Sequence, residues 1–209
     1  LHDPAPDRRP IAARRLRATV MMADWLIRRH ASPNGVSVAG MVCALLAGGV
    51  FALAPGHWGL WLLGALLVQL RLLANMLDGM VAIGRGIASP LGEVFNEVPD
   101  RVSDTAVLVG LGLAGGLAWL GVAAALAAMA TAYIRVVGKA AGQASDFCGP
   151  MAKQHRMALV TALAIWCAVT PAFANPAVVA ALWIILVLAS VTAGRRLLRL
   201  MRALQRGAG

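Results

Sequence analysis

The sequence predicts an all-α, polytopic membrane protein of six transmembrane helices, preceded by an amphipathic helix lying in the membrane interface. Three observations predict it. Of 209 residues, 60% are hydrophobic and only 13% are charged, with a mean hydropathy of +0.75, whereas a soluble domain carries about a quarter charged residues. The apolar residues gather into runs at 36–54, 58–82, 91–113, 117–138, 157–173 and 177–194, near the roughly 20 residues that cross a bilayer. Basic residues recur in every second connection and at both ends, the pattern that keeps a segment on the cytoplasmic side.

Each element follows in order. Residues 1–17 are too polar for the apolar region of a signal peptide. Residues 11–30 mix apolar and basic positions at helical spacing, with Trp25 as an interfacial anchor. Ser32-Pro33-Asn34-Gly35 breaks that helix. The organisation is then 1–31, polar segment and interfacial helix; 32–195, membrane domain; and 196–209, basic cytoplasmic tail. The connections 54–57, 115–116 and 170–176 contain no Lys, Arg, Asp or Glu, while the other two carry Arg85 and then Lys139, Asp146, Lys153 and Arg156. Trp58, Trp61 and Trp119 fall at the uncharged ends, where interfacial aromatics belong. The expected location is the inner (cytoplasmic) membrane with both termini cytoplasmic.

The net charge of +10 does not point to nucleic acid. Arg8, Arg9, Arg14, Arg15, Arg17, Arg28 and Arg29 precede the first run, and Arg195, Arg196, Arg199, Arg202 and Arg206 follow the last. Their partners are anionic lipid headgroups. Cys43, Cys148 and Cys167 are odd in number and far apart, which argues against a disulfide framework or a zinc site.

Charge inside a membrane is expensive and marks function by default. Of nine acidic residues, five lie in or beside two spans: Asp78, Glu93, Glu97, Asp100 and Asp104. Steps of three or four place Arg71, Asn75, Asp78, Gly79 and Ala82 on one face of the second span, and Glu93, Asn96, Glu97, Asp100 and Asp104 on one face of the third. A short loop brings these faces together at the cytoplasmic boundary. Converging oxygen ligands favour a hard divalent cation, Mg²⁺ or Mn²⁺. The alternative is a polar seam that fixes helix packing, with the acids paired to Arg71 and Arg101. Gly79 and Gly92 favour a ligand, because a missing side chain permits close approach. Pro99 also frees the carbonyl of Phe95 in this turn.

These residues resemble the signature of the CDP-alcohol phosphotransferases, Asp-x2-Asp-Gly-x2-Ala-Arg-x8-Gly-x3-Asp-x3-Asp. The chain reads Asn75-x2-Asp78-Gly79-x2-Ala82-Ile83-x8-Gly92-x3-Asn96-x3-Asp100, every spacing intact. Ser32-Pro33-Asn34 is similar to the Thr-Pro-Asn that opens the first span of many members. The resemblance implies transfer of a substituted phosphoryl group from a CDP-linked lipid donor, such as CDP-diacylglycerol, to an alcohol, with release of CMP. It implies Asp100 as general base and a metal held by Asn75, Asp78, Asn96 and Asp100. It further implies a nucleotide site at Asn34, Asp78, Gly79, Ala82 and Gly92, and is compatible with a homodimer.

Three positions depart from that signature. Asn75 and Asn96 stand where the family has aspartates, and Ile83 where it has arginine. Asparagine ligates through its carbonyl but adds no charge. Glu97 is positioned to supply a missing carboxylate, and Arg85 to reach the phosphates. Arg135, Lys139, Lys153, His155 and Arg156 cluster around the connection between the fourth and fifth spans. Arg135, Lys139 and Arg156 are candidates for holding an acceptor phosphate, and contact with lipid headgroups is the competing role. Two other functions remain open from the sequence: a non-catalytic lipid- or nucleotide-binding homologue, and a small transporter.

Overall fold

A computed structural model of the chain describes residues 17–87 and 90–207, apart from the side chains of Pro90, Leu91, Glu93, Asn96 and Gly207. The described residues form seven α-helices: α1 (Arg17–Arg28), α2 (Pro33–Ala52), α3 (Trp58–Gly84), α4 (Pro90–Ala114), α5 (Ala118–Ala140), α6 (Lys153–Val169) and α7 (Ala174–Gly207). A 3-10 turn, Pro171–Phe173, joins the last two. The expectation of an all-helical membrane protein is met. The first residues of the expected interfacial helix, 11–16, lie outside the described residues.

Local chemistry sets the ends. Ser32 caps α2, its hydroxyl accepting from the Gly35 amide at 3.4 Å, and Pro33 takes the first helical position, where its missing N–H costs nothing. Arg85 closes α3 by donating to the carbonyls of His30 and Ala31 at 3.2 and 2.8 Å. That ties the start of the α3–α4 connection to the α1–α2 turn. The basic tail after residue 195 continues α7 as helix.

By length and composition, four segments can cross a membrane: α2, α3, α5 and Pro171–Arg206. The remaining two long helices fall short for separate reasons. α4 carries Glu93, Glu97, Asp100, Arg101 and Asp104, and α6 is 17 residues long.

α2 packs against α3 and α4, α5 against α4 and α7, and α6 against α3 and α7. The core is built of small residues and a few large ones, among them Phe51, Trp61, Leu108, Leu111, Leu120 and Ile185. Trp61 corrects one expectation. It is not an interfacial anchor but 2% exposed, with its ring 5.9 Å from that of Phe51. Gly64 makes room for this pair, since a Cβ there would lie 2.3 Å from the Phe51 ring. Trp58 and Trp119 are exposed as expected.

Candidate active site

The polar faces of α3 and α4 meet, and α2 and α6 close over them. From α3 come Arg71, Asn75 and Asp78; from α4, Glu97, Asp100, Arg101 and Asp104; from α2, Ser37; from α6, Lys153 and Arg156. Asp78, Asp100 and Asp104 are 5, 8 and 4% exposed, and Arg71 and Arg156 are 3 and 1% exposed. Charges this deep persist only when paired.

The pairing is extensive. Arg71 Nη2 donates to Asp100 Oδ1 at 2.9 Å and to Asp104 Oδ1 at 3.2 Å. Lys153 Nζ donates to Asp100 Oδ2, and Arg156 Nη2 to Asp104 Oδ2. The Asn75 carboxamide satisfies two neighbours in one orientation: its nitrogen donates to Asp100 Oδ1 at 2.9 Å and its oxygen accepts from Lys153 Nζ at 3.1 Å. Asp78 Oδ2 accepts from the Ser37 hydroxyl at 2.6 Å. Two buried donors, Arg71 Nη1 and Arg156 Nε, have no acceptor among the described residues.

The structure therefore brings Asn75 and Asp100 together, sets Asp78 one turn further along α3 against Ser37, and places Gly79 and Ala82, both half-buried, on the same side of α3. Asn34 is half-buried in the first turn of α2, one turn before Ser37. The side chains of Glu93 and Asn96 lie outside the described residues, and Gly92 is half-buried in the first turn of α4. Glu97 turns to other partners, accepting from Arg135 Nη2 at 2.5 Å and Arg101 Nη2 at 3.4 Å. The pairing of the acids with Arg71 and Arg101, raised above as the mark of a packing seam, is thus present.

Asn75, Asp78 and Asp100 offer only oxygen donors, which suits a hard divalent cation. No group of three or more His, Cys, Asp or Glu side chains is arranged for a metal among the described residues. The donor set fits such an ion with fewer carboxylates than the resembled signature has.

A second polar feature lies beside the first. Ile134, Arg135 and Gly138 of α5, Gln143, Ala144 and Asp146 of the following loop, and Arg196, Arg199, Leu200 and Ala203 of α7 line a cavity of about 190 Å³. Arg196 is locked in place, donating to the carbonyls of Cys148 and Thr131 at 2.9 and 2.7 Å. Arg135 also stacks over Phe147, 5.5 Å from the ring centroid. Lys139 is exposed one turn along α5, and Arg156 is committed to Asp104. In the loop, burial and then the bond to Asp146 raise the Cys148 thiol pKa above its usual value.

Ser37, Arg196 and Arg199 are residues that sequence reasoning left out of the site, and it placed Lys153 only in the cationic cluster between the fourth and fifth spans. Ser37 follows the Pro33-Asn34 opening at helical spacing, a faint signal. Lys153 and Arg196 read as membrane-flanking charge, and only their partners on other helices distinguish them.

The sequence model of the CDP-alcohol phosphatidyltransferase family matches residues 30–194. The chain is 31% identical to the phosphatidylinositol phosphate synthase of Mycobacterium marinum over 87% of its length and 78% of the relative's. It is 28% identical to inner membrane protein YnbA of Escherichia coli over 71% and 72% of the two chains. Among solved structures, phosphatidylinositol phosphate synthase of Mycobacterium tuberculosis with CDP-DAG bound superposes with a TM-score of 0.74 at 26% identity, covering 88% of this chain and 94% of that one. The same enzyme with manganese and citrate shares the fold, with a TM-score of 0.75 at 24% identity and 88% of each chain covered.

Proposed function

The chain belongs to the CDP-alcohol phosphatidyltransferase family, and on that premise we propose that it moves a phosphatidyl group from CDP-diacylglycerol to a phosphorylated alcohol. The observation that carries this is the pair Asp78 and Asp100, at the spacing of the family signature, the first held by Ser37 and the second by Arg71, with an arginine-lined cavity reached through Arg135 and Glu97. A non-catalytic seam has no use for the second feature.

The acceptor hydroxyl oxygen bonds to the phosphatidyl phosphorus, the bond from that phosphorus to the bridging oxygen breaks, and CMP leaves with the electron pair. Asp100 accepts the hydroxyl proton through the oxygen that Lys153 now holds. Asp78, aimed by Ser37, together with Asn75 and Asp100 would hold Mg²⁺ or Mn²⁺; when bound, the metal neutralises the pyrophosphate. Asn34, Gly79, Ala82 and Gly92 shape the nucleotide side.

The acceptor's phosphate is placed at Arg135, Arg196 and Arg199, with Lys139 one turn away and Arg156 acting through Asp104. Guanidinium groups pair bidentately with phosphate. The first turn of α6 also carries no acid, and a helix N-terminus favours an anion. Relatives named for phosphatidylinositol phosphate synthesis point to a phosphorylated polyol.

In the membrane, α2 to α7 form six spans. α6 is about 26 Å long at 1.5 Å per residue, close to the hydrocarbon thickness of about 30 Å. α4 crosses because Asp100 and Asp104 face α3 and α6, and Glu97 faces α5, instead of lipid. α1 lies in the interface, exposing Val20, Met21, Met22 and Trp25. The loop carrying Gly149, and both termini, face the cytoplasm.

The test is CMP release from CDP-diacylglycerol by the purified chain with Mg²⁺ or Mn²⁺, offered inositol phosphate, other phosphorylated polyols, and free inositol or glycerol. Release should require a phosphorylated acceptor. No release with any acceptor would sink the reading.

A further inference from the structure

The ammonium of Lys153 lies where the signature oxygens converge. It donates to Asp100 Oδ2 and to the Asn75 carboxamide oxygen at 3.1 Å, while Arg71 holds the other Asp100 oxygen at 2.9 Å. Local chemistry does not favour a lysine there. It is the first residue of α6, in a first turn without acids, and a cation at a helix N-terminus opposes the macrodipole. Asp100, from another helix, offsets that cost. Around it Asp100 and Asp104 face Arg71, Lys153, Arg156 and, at 3.7 Å, Arg101, so these two carboxylates are already more than matched by cations.

We propose that Lys153 is a resident cation that makes metal loading depend on the nucleotide: it holds the Asp100–Asn75 oxygen pair in the free protein, and a divalent metal takes those oxygens only together with a pyrophosphate. The inference rests on the metal-assisted reading above. Adding two positive charges to carboxylates already matched in this way is opposed by the ammonium and by Arg71. A pyrophosphate reverses the balance. Lysine suits the exchange because its ammonium is a point charge on a flexible stem, free to swing from Asp100 to the incoming phosphates. Arg71 is buried and bridges two carboxylates, so it stays.

The test is Mn²⁺ titration of the full chain in detergent, followed by the electron paramagnetic resonance signal of free Mn²⁺, with and without cytidine diphosphate. Wild type should bind Mn²⁺ weakly alone and tightly with the nucleotide. Lys153→Met and Lys153→Gln should each bind Mn²⁺ at least about tenfold more tightly without nucleotide, and Lys153→Arg should keep the wild-type dependence. Equally tight binding by wild type in both conditions overturns the proposal. So does nucleotide-free binding by Lys153→Met and Lys153→Gln no better than wild type. Two neutral variants are used so that a folding defect in one leaves the other to decide. Metal binding and CMP release are separate readouts: nucleotide-dependent metal without transfer refutes only the transferase reading, and transfer with nucleotide-independent metal refutes only this one.

Discussion

Asp100 has every oxygen engaged, by Arg71 and Asn75 on one side and Lys153 on the other, so its substitution separates two roles. Asp100→Asn keeps the shape, loses the proton acceptor, and should lower the CMP release rate by about 10²-fold or more. Binding of cytidine diphosphate should fall far less, and an unchanged rate would remove Asp100 as base. Ser37 acts on Asp78 at 2.6 Å. Removing such a supporting bond lowers metal affinity by about 10–100-fold in metalloproteins, and Ser37→Ala should do the same to nucleotide-assisted Mn²⁺ binding. At the loop, Cys148 Sγ lies 3.2 Å from Asp146 Oδ2, and its pKa is raised by burial and then by Asp146. A raised pKa means less thiolate at a given pH, so Asp146→Asn should speed alkylation of Cys148 near pH 8. Equal alkylation rates would show that Asp146 does not govern the thiol.

At the scale of elements, α4 is gripped by glycine on two sides, and this sets how closely its acids approach their partners. A Cβ on Gly48 of α2 would lie 2.3 Å from the Ala106 carbonyl oxygen of α4, and one on Gly121 of α5 would lie 2.5 Å from that of Leu108. Gly49, one residue from Gly48, meets nothing within 4 Å. Gly48→Ala should therefore destabilise by about 1–3 kcal/mol or more and, by parting α2 from α4, reduce transfer as well. Gly49→Ala should be neutral or slightly stabilising, since glycine costs a helix about 0.5–1 kcal/mol relative to alanine. Thermal unfolding of both variants in detergent checks the contrast; equal losses would mean the contact at Gly48 yields without cost. α2 carries Ser37 towards Asp78 of α3 and α4 carries Asp100 towards Arg71, so the packing of α2 on these helices also positions the site.

For the whole molecule, the uncharged connections at 53–57, 115–117 and 170–173 alternate with the charged ones along the helical order. Reporter fusions at Gly115 and Ala174 should read as periplasmic, and fusions at Arg85, Gly149 and the C-terminus as cytoplasmic. A cytoplasmic signal at Gly115 would break the pairing of α3 with α4 as consecutive spans. α7 makes the assembly asymmetric. At 34 residues and 1.5 Å per residue it is about 51 Å long, well beyond a hydrocarbon core of about 30 Å. The C-terminal part of this helix carries Arg196 and Arg199, which line the cavity.

The sequence by itself determined the helical class, the order and near-ends of the helices, and the spacing that puts Asn75, Asp78 and Asp100 on facing surfaces. These depend on hydropathy, caps and a 3.6-residue period, all of which act over short stretches of chain. Only the tertiary structure decided which charge meets which. Glu97 answers Arg135 of α5 and not the acid cluster, Arg85 answers the carbonyls of the α1–α2 turn, and Trp61 turns inward against Phe51. Lys153, which composition classes with the lipid-facing cations, reaches Asp100 across 53 residues of chain. Such pairings depend on how α6 and α7 dock on α3 and α5. Lys and Arg have the same sequence signature whether they face a headgroup or a buried carboxylate.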